Sequence, residues 1–140
     1  PGRCKCGLVL ADLQLGLVSE GHVLAPEAVE PWLEHWNQDQ ALDRILIGDG
    51  MGSRAWIQRL ERLGHLTVVP EQGTTLRARQ RYWALWPARG WRRMLPAGLR
   101  IPPVDLDAVA ALVMLEEHLQ CRLKWPEPDP TFSLRTWPGP

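Results

Sequence analysis

Ile45-Leu46-Ile47-Gly48-Asp49-Gly50 and Leu66-Thr67-Val68-Val69-Pro70-Glu71 follow one plan: a short apolar run, then turn residues with an acid. Such runs bounded by Gly or Pro suit strands covered on both faces. The pattern predicts strands over Leu42–Ile47 and Leu66–Val69, each feeding a helix. Ser53 can cap the first helix, with Trp56, Ile57, Leu60 and Leu63 on one face and Gly64 at its end. Thr74 or Thr75 can cap the second, which runs to about Trp86. Strand–helix alternation implies parallel strands joined by right-handed crossovers. In such sheets function gathers at the C-terminal strand ends, where Asp49 and Glu71 stand.

Toward the N-terminus, Cys6–Asp12 and Leu17–Ala25 read as two strands, the second irregular at Gly21. The residues around Gln14 to Gly16 suit a hairpin turn. Pro26-Glu27 opens a helix with Val29, Trp32, Leu33 and Trp36 at helical spacing. Toward the C-terminus, residues 87–104 hold four prolines and two glycines and read as an irregular loop. Asp105 can cap a last helix, Leu106 to about Arg122. Residues 125–140 contain five prolines and read as an extended tail or disordered end. The expected fold class is therefore α/β, with an antiparallel hairpin and parallel strands making one mixed sheet.

A length of 140 residues suits a single domain. No apolar stretch reaches the roughly 18 residues of a membrane span, so no membrane partner is expected. Cys4, Cys6 and Cys121 are odd in number and poorly spaced for a disulfide framework, and no signal peptide is visible. Reduced thiols in a cytoplasmic protein are the reading. The four histidines show no ligand spacing.

Lys+Arg and Asp+Glu both number 16, and this neutrality conceals segregation. Residues 1–76 carry ten acids and six bases, and residues 101–140 carry six acids and three bases. Between them, residues 77–100 carry seven arginines and no acid, interleaved with Tyr82, Trp83, Trp86 and Trp91. Guanidinium forks pair with phosphates and aromatic rings stack on unpaired bases. Arg77, Arg79, Arg81, Arg92, Arg93, Trp83 and Trp91 are thus the candidate nucleic-acid contacts. The plainer reading is a solvated arginine-rich helix and loop.

Carboxylates gathered at one sheet edge bind Mg²⁺, and a pair of such ions supports phosphodiester cleavage. Asp107, in the first turn of the last helix, joins Asp49 and Glu71 as a candidate. Singly, each acid also fits a turn or a helix start. Gly48-Asp49-Gly50-Met51-Gly52 looks superficially like a nucleotide loop, but it lacks the full G-x-G-x-x-G spacing.

Three segments together resemble the YqgF/RuvX family, Holliday-junction-resolvase-like nucleases of the RNase H-like superfamily tied to maturation of the pre-16S rRNA 5′ end. The likeness is to the Arg- and Trp-rich cyanobacterial-type branch. Pro1-Gly2-Arg3-Cys4-Lys5-Cys6-Gly7 is similar to the end of its Asp-Pro-Gly-x-x-x-x-Gly opening. Val69-Pro70-Glu71-Gln72-Gly73-Thr74-Thr75 resembles its Asp-Glu-Arg-x-(Ser/Thr)-Thr segment, with Pro70 and Gln72 as departures. Leu106-Asp107-Ala108-Val109-Ala110-Ala111 resembles its Asp-x-x-Ala-Ala helix.

The resemblance covers residues 1–123, leaving 124–140 as a Pro/Trp-rich tail. It implies an RNase H-like sheet of order 3-2-1-4-5 flanked by helices. It makes Glu71 and Asp107 metal ligands for Mg²⁺ or Mn²⁺ and Asp49 an accessory catalytic acid. The first catalytic Asp and its central strand would precede Pro1. The expectation is a metal-dependent endonuclease domain for structured RNA or branched DNA, inactive as residues 1–140 alone. The alternative is a noncatalytic nucleic-acid-binding or ribosome-assembly module. Resolving a symmetric junction would call for a homodimer, and trimming an RNA end would not.

Overall fold

The computed structural model describes residues 1–126 and residues 134 and 135. The chain is mixed α/β, with two small sheets and helices on both sides of the hairpin. Strands β1 (Cys6–Asp12) and β2 (Leu17–Leu24) form the antiparallel hairpin. Its turn uses Gly16 at φ 67°, and the Asp12 carboxylate accepts the Gln14 and Leu15 N–H groups. The irregularity expected at Gly21 lies elsewhere: Leu10 pairs with Glu20 and Ala11 with Val18, which leaves Ser19 as the extra residue.

Helix α1 (Pro26–Asp39) begins on proline, where the missing N–H costs nothing. It buries Val29, Trp32, Leu33 and Trp36, the face its spacing predicts. Strand β3 (Ile45–Gly48) and strand β4 (Leu66–Val69) pair in parallel, in the register Ile45 to Leu66 through Gly48 to Val69. Helix α2 (Ser53–Leu60) lies between them in sequence, and helix α3 (Thr74–Leu85) follows β4. Both helices start one residue after a left-handed glycine, Gly52 at φ 87° and Gly73 at φ 72°. Ser53 and Thr74 are therefore first helical residues rather than caps. Helix α4 (Asp107–Leu119) starts after Leu106, and the expected cap Asp105 pairs instead with Lys5 at 2.7 Å. The predicted loop contains two short 3₁₀ turns, Gly90–Met94 and Ala97–Leu99.

Alternation along the hairpin builds two cores. Cys6, Leu8, Leu10 and Leu24 pack with α1, Ile47 and α2. Val9, Ala11, Val18 and Val23 pack with Ala78 and Tyr82 of α3 and with Ala108, Val109 and Leu112 of α4. Full burial of a valine or leucine side chain such as Val18, Leu24 or Leu112 contributes about 1.5–3 kcal/mol. Helix α4 meets β1 at Gly7, where an added Cβ would stand 1.9 Å from the Asp107 carbonyl oxygen. Only glycine permits that approach.

Two expectations change. The single mixed sheet is two sheets, one ordered β1-β2-β5 with β5 (Leu134–Arg135) parallel to β2, the other β3-β4. Among the described residues, no strand bonds to the outer edge of β1 or of β3. The body also continues past residue 123. Trp125 is buried against the α3–α4 core, and Lys124 bridges Leu17. The rest of the expected tail, 127–133 and 136–140, lies outside the described residues.

Candidate metal and nucleic-acid site

Parallel pairing carries β3 and β4 to the same end, and the acids that follow them meet there. The Asp49 N–H donates to the Val69 carbonyl at 2.9 Å. The Glu71 N–H donates to Asp49 Oδ1 at 3.1 Å. Thr74 then fixes the turn, its hydroxyl donating to the Glu71 carbonyl at 2.8 Å. The Glu71 side chain lies across two glycines. A Cβ on Gly48 would come within 2.4 Å of its Oε2, and one on Gly50 within 1.8 Å of its Oε1. Both positions need hydrogen at Cα for the carboxylate to rest there. Among the described residues no cationic side chain pairs with Asp49 or Glu71.

Asp107 lies on the first turn of α4, its carbonyl against Gly7 of β1. Among the described residues no group of three or more His, Cys, Asp or Glu is placed to hold a metal. Asp49 and Glu71 supply two carboxylates, the kind of donor that Mg²⁺ takes one or two of while keeping its waters. They do not make a two-ion site without further ligands.

The seven arginines divide into struts and those that, among the described residues, make no hydrogen bond from the side chain to the body. Arg81 donates to both oxygens of Glu116, at 2.7–3.2 Å, and to the Leu123 carbonyl at 2.9 Å. Glu116 also takes the Leu123 N–H at 3.0 Å and Arg122 at 3.2 Å. Arg77 grips Glu117 at 2.6 and 3.2 Å and the Gln72 carbonyl at 2.9 Å. The open cleft of about 880 Å³ between α3 and α4 is thus lined by charges that already satisfy one another. Arg79 and Trp83 both donate to the Arg100 carbonyl, and Arg79 also reaches Gly98. Arg100 itself donates to the carbonyls of Leu95 and Arg93. These contacts clamp the 3₁₀ loop to α3.

The outward groups are on that loop. Arg89 and Arg93 are exposed, Trp91 is 66% exposed, and the Arg92 guanidinium sits 5.2 Å from the Trp91 ring. Met94, Leu99 and Ile101 are exposed beside them. Of the candidate contacts, Trp91 and Arg93 face outward and Arg92 is half-buried over the Trp91 ring, while Arg77, Arg79, Arg81 and Trp83 are engaged with the body. Sequence reading missed Glu116 as the hub of α3 and α4. Its signal was there: Arg77 and Arg81 are four apart on α3, matching adjacent acids on α4.

No protein-family model, curated protein or solved structure matches this chain.

Proposed function

We propose that the chain is the body of a metal-dependent nuclease domain acting on structured nucleic acid, RNA or branched DNA. The observation that carries this reading is the meeting of Asp49 and Glu71 at the end of the β3–β4 pair, over glycines and without a cation partner among the described residues. In this reading the two carboxylates hold one Mg²⁺ or Mn²⁺, which would polarise a phosphate oxygen and lower the pKa of a bound water. Arg92 and Arg93 take phosphates, and Trp91 offers a stacking face. Asp107 contributes from α4 once further ligands complete the site.

With no group of three metal ligands among the described residues, the chain is expected to bind nucleic acid and to leave it uncut. Anisotropy titration with a four-way DNA junction and a stem-loop RNA at low salt tests the binding. Absence of binding to both sinks the nucleic-acid reading. Cleavage by residues 1–140 in Mg²⁺ that is lost in Glu71→Gln or Asp107→Asn overturns the expected inactivity. That no group of three or more His, Cys, Asp or Glu among the described residues is placed to hold a metal favours a second reading, a noncatalytic binding module. Binding with no Mg²⁺ affinity at Asp49 and Glu71, measured calorimetrically, would select it.

A further inference from the structure

Residues 87–104 join α3 to α4 and are unusual in composition. Four are arginine and the other fourteen are glycine, proline or apolar, with no acid, lysine, amide or hydroxyl side chain. An exposed connection is ordinarily built from polar turn residues.

The fold leaves this connection in solvent. Trp91, Met94, Leu99 and Ile101 are 63–87% exposed. They make one patch. Trp91 and Met94 stand at i and i+3 of the same 3₁₀ turn, where side chains eclipse. Arg100 donates to the carbonyls of Arg93 and Leu95 at 3.1 and 3.0 Å, on either side of Met94. Leu99 and Ile101 flank Arg100 and so come to the same end of the loop. Arg79 and Trp83 hold the Arg100 carbonyl from α3, and Arg79 also holds that of Gly98. The apolar groups are thus pinned outward by hydrogen bonds to the loop backbone. An exposed apolar patch edged by polar groups marks an interaction site, and a surface fixed before binding loses little entropy when it binds.

Three features of the loop select the occupant. Its composition is that of a protein interface, where Trp, Met and Arg are enriched and Lys, Asp and Glu depleted. Nucleic-acid contacts also draw on amide and hydroxyl side chains, which the loop lacks. Charge sets the sign of the partner. Arg89 and Arg93 are exposed and Arg92 lies over the Trp91 ring, and among the described residues no carboxylate pairs with any of the three. The regular structure of the loop, all of it described, is two short 3₁₀ turns without a strand edge. A partner therefore binds through side chains, as an amphipathic helix does, rather than by adding a strand.

We infer that residues 87–104 dock an acidic amphipathic helix of a separate protein. Its leucine-type face covers Trp91, Met94, Leu99 and Ile101, and its carboxylates meet Arg89, Arg92 and Arg93. The inference goes beyond the nuclease reading and does not rest on it, because Met94, Leu99 and Ile101 offer nothing to a phosphate.

The probe is a fluorescein-labelled peptide of about 18 residues, long enough to hold helix in water. It carries leucine at i, i+3, i+4 and i+7, with glutamate and alanine elsewhere, and is titrated with the full chain by anisotropy. Leu99→Ser with Ile101→Ser, and separately Arg93→Glu, should each weaken binding by at least about tenfold, the loss expected of an interface anchor. These side chains are exposed, so the urea midpoint should stay in place. A scrambled peptide of the same composition, its leucines spread around the helix, should also bind at least about tenfold more weakly. A four-way DNA junction should be insensitive to Leu99→Ser with Ile101→Ser and weakened by Arg93→Glu.

The inference is overturned if the peptide does not bind, if the scrambled peptide binds as well, or if Leu99→Ser with Ile101→Ser leaves peptide binding unchanged. It is also overturned if that pair of substitutions instead abolishes binding to phosphatidylserine–phosphatidylcholine vesicles or to the junction, which would give the patch to a membrane or to nucleic acid. Self-association in sedimentation that the same pair abolishes would overturn it in favour of a second copy.

Discussion

Arg81 and Arg93 belong to the same acid-free run, and the fold gives them opposite surroundings. Arg81 is turned inward, its side chain only 13% exposed, and closes on a Glu116 that is 3% exposed. Arg93 stands on the clamped loop in solvent. A run of arginines is therefore not one surface. Helical spacing delivers Arg77 and Arg81 to the acids of α4, while the 3₁₀ loop sends Arg89 and Arg93 outward and lays Arg92 over Trp91. The same chemistry serves as a strut in one place and as a phosphate-binding candidate in the other.

Breaking the strut should have the largest effect. Glu116→Gln leaves the Arg81 guanidinium buried without its counter-charge, and removing one partner of a buried pair costs about 3–5 kcal/mol. Urea unfolding followed by tryptophan fluorescence measures it. A loss below about 1 kcal/mol would show that Arg81 reaches water easily and that the two arginine classes are not distinct. Next in size is Gly7→Ala, which forces α4 off β1 at the Asp107 carbonyl and should cost about 1–3 kcal/mol. It tests whether the inward side of the molecule is as closely fitted as its ion pairs suggest.

The outward class predicts the reverse profile. Arg92→Ala with Arg93→Ala should leave stability within about 0.5 kcal/mol. Removing one phosphate-binding side chain should reduce the slope of log affinity against log salt by about one, so the double variant should lower it by about two. If Arg77→Ala changed that slope as much without changing stability, the division into struts and binders would fail.

The same division explains what was legible in the sequence. Strands β3 and β4, the hairpin and the buried face of α1 follow from local periodicity, and so does the meeting of Asp49 and Glu71 once the pairing is parallel. Local pattern could not tell Arg81 from Arg93, because their difference lies in which element stands opposite. Nor could it foresee that Asp105 would leave the helix start for Lys5, or that Gly52 and Gly73 would replace Ser53 and Thr74 at the helix entries. Trp125 was read as tail because its neighbours are prolines, yet a large aromatic beside the α3–α4 core gains more from burial than the chain loses in order. The division of the sheet was least legible, since strand runs do not declare which edges remain open.

The smallest effect concerns a third arginine setting, on the α1–α2 side. Arg62 and Arg59 both bond Glu30, at 2.7 and 2.9 Å, and Arg62 also reaches Glu34. Arg62 first, then Arg59, holds the Glu30 carboxyl below its ordinary value of 4.5. A carboxyl depressed in the folded state adds stability above its unfolded pKa, and the gain is lost as pH falls through the folded value. Glu30→Gln should therefore be less stable than the parent at pH 7, and the gap should close below about pH 4.5. Because Arg59 and Arg62 are about half exposed, at 46% and 54%, the gap should be small and shrink in high salt. Thermal melts of both proteins across pH at two salt concentrations measure it. A gap that is large, or that persists in acid, would mean that Glu30 supports α1 and α2 through packing and belongs with Glu116 among the struts.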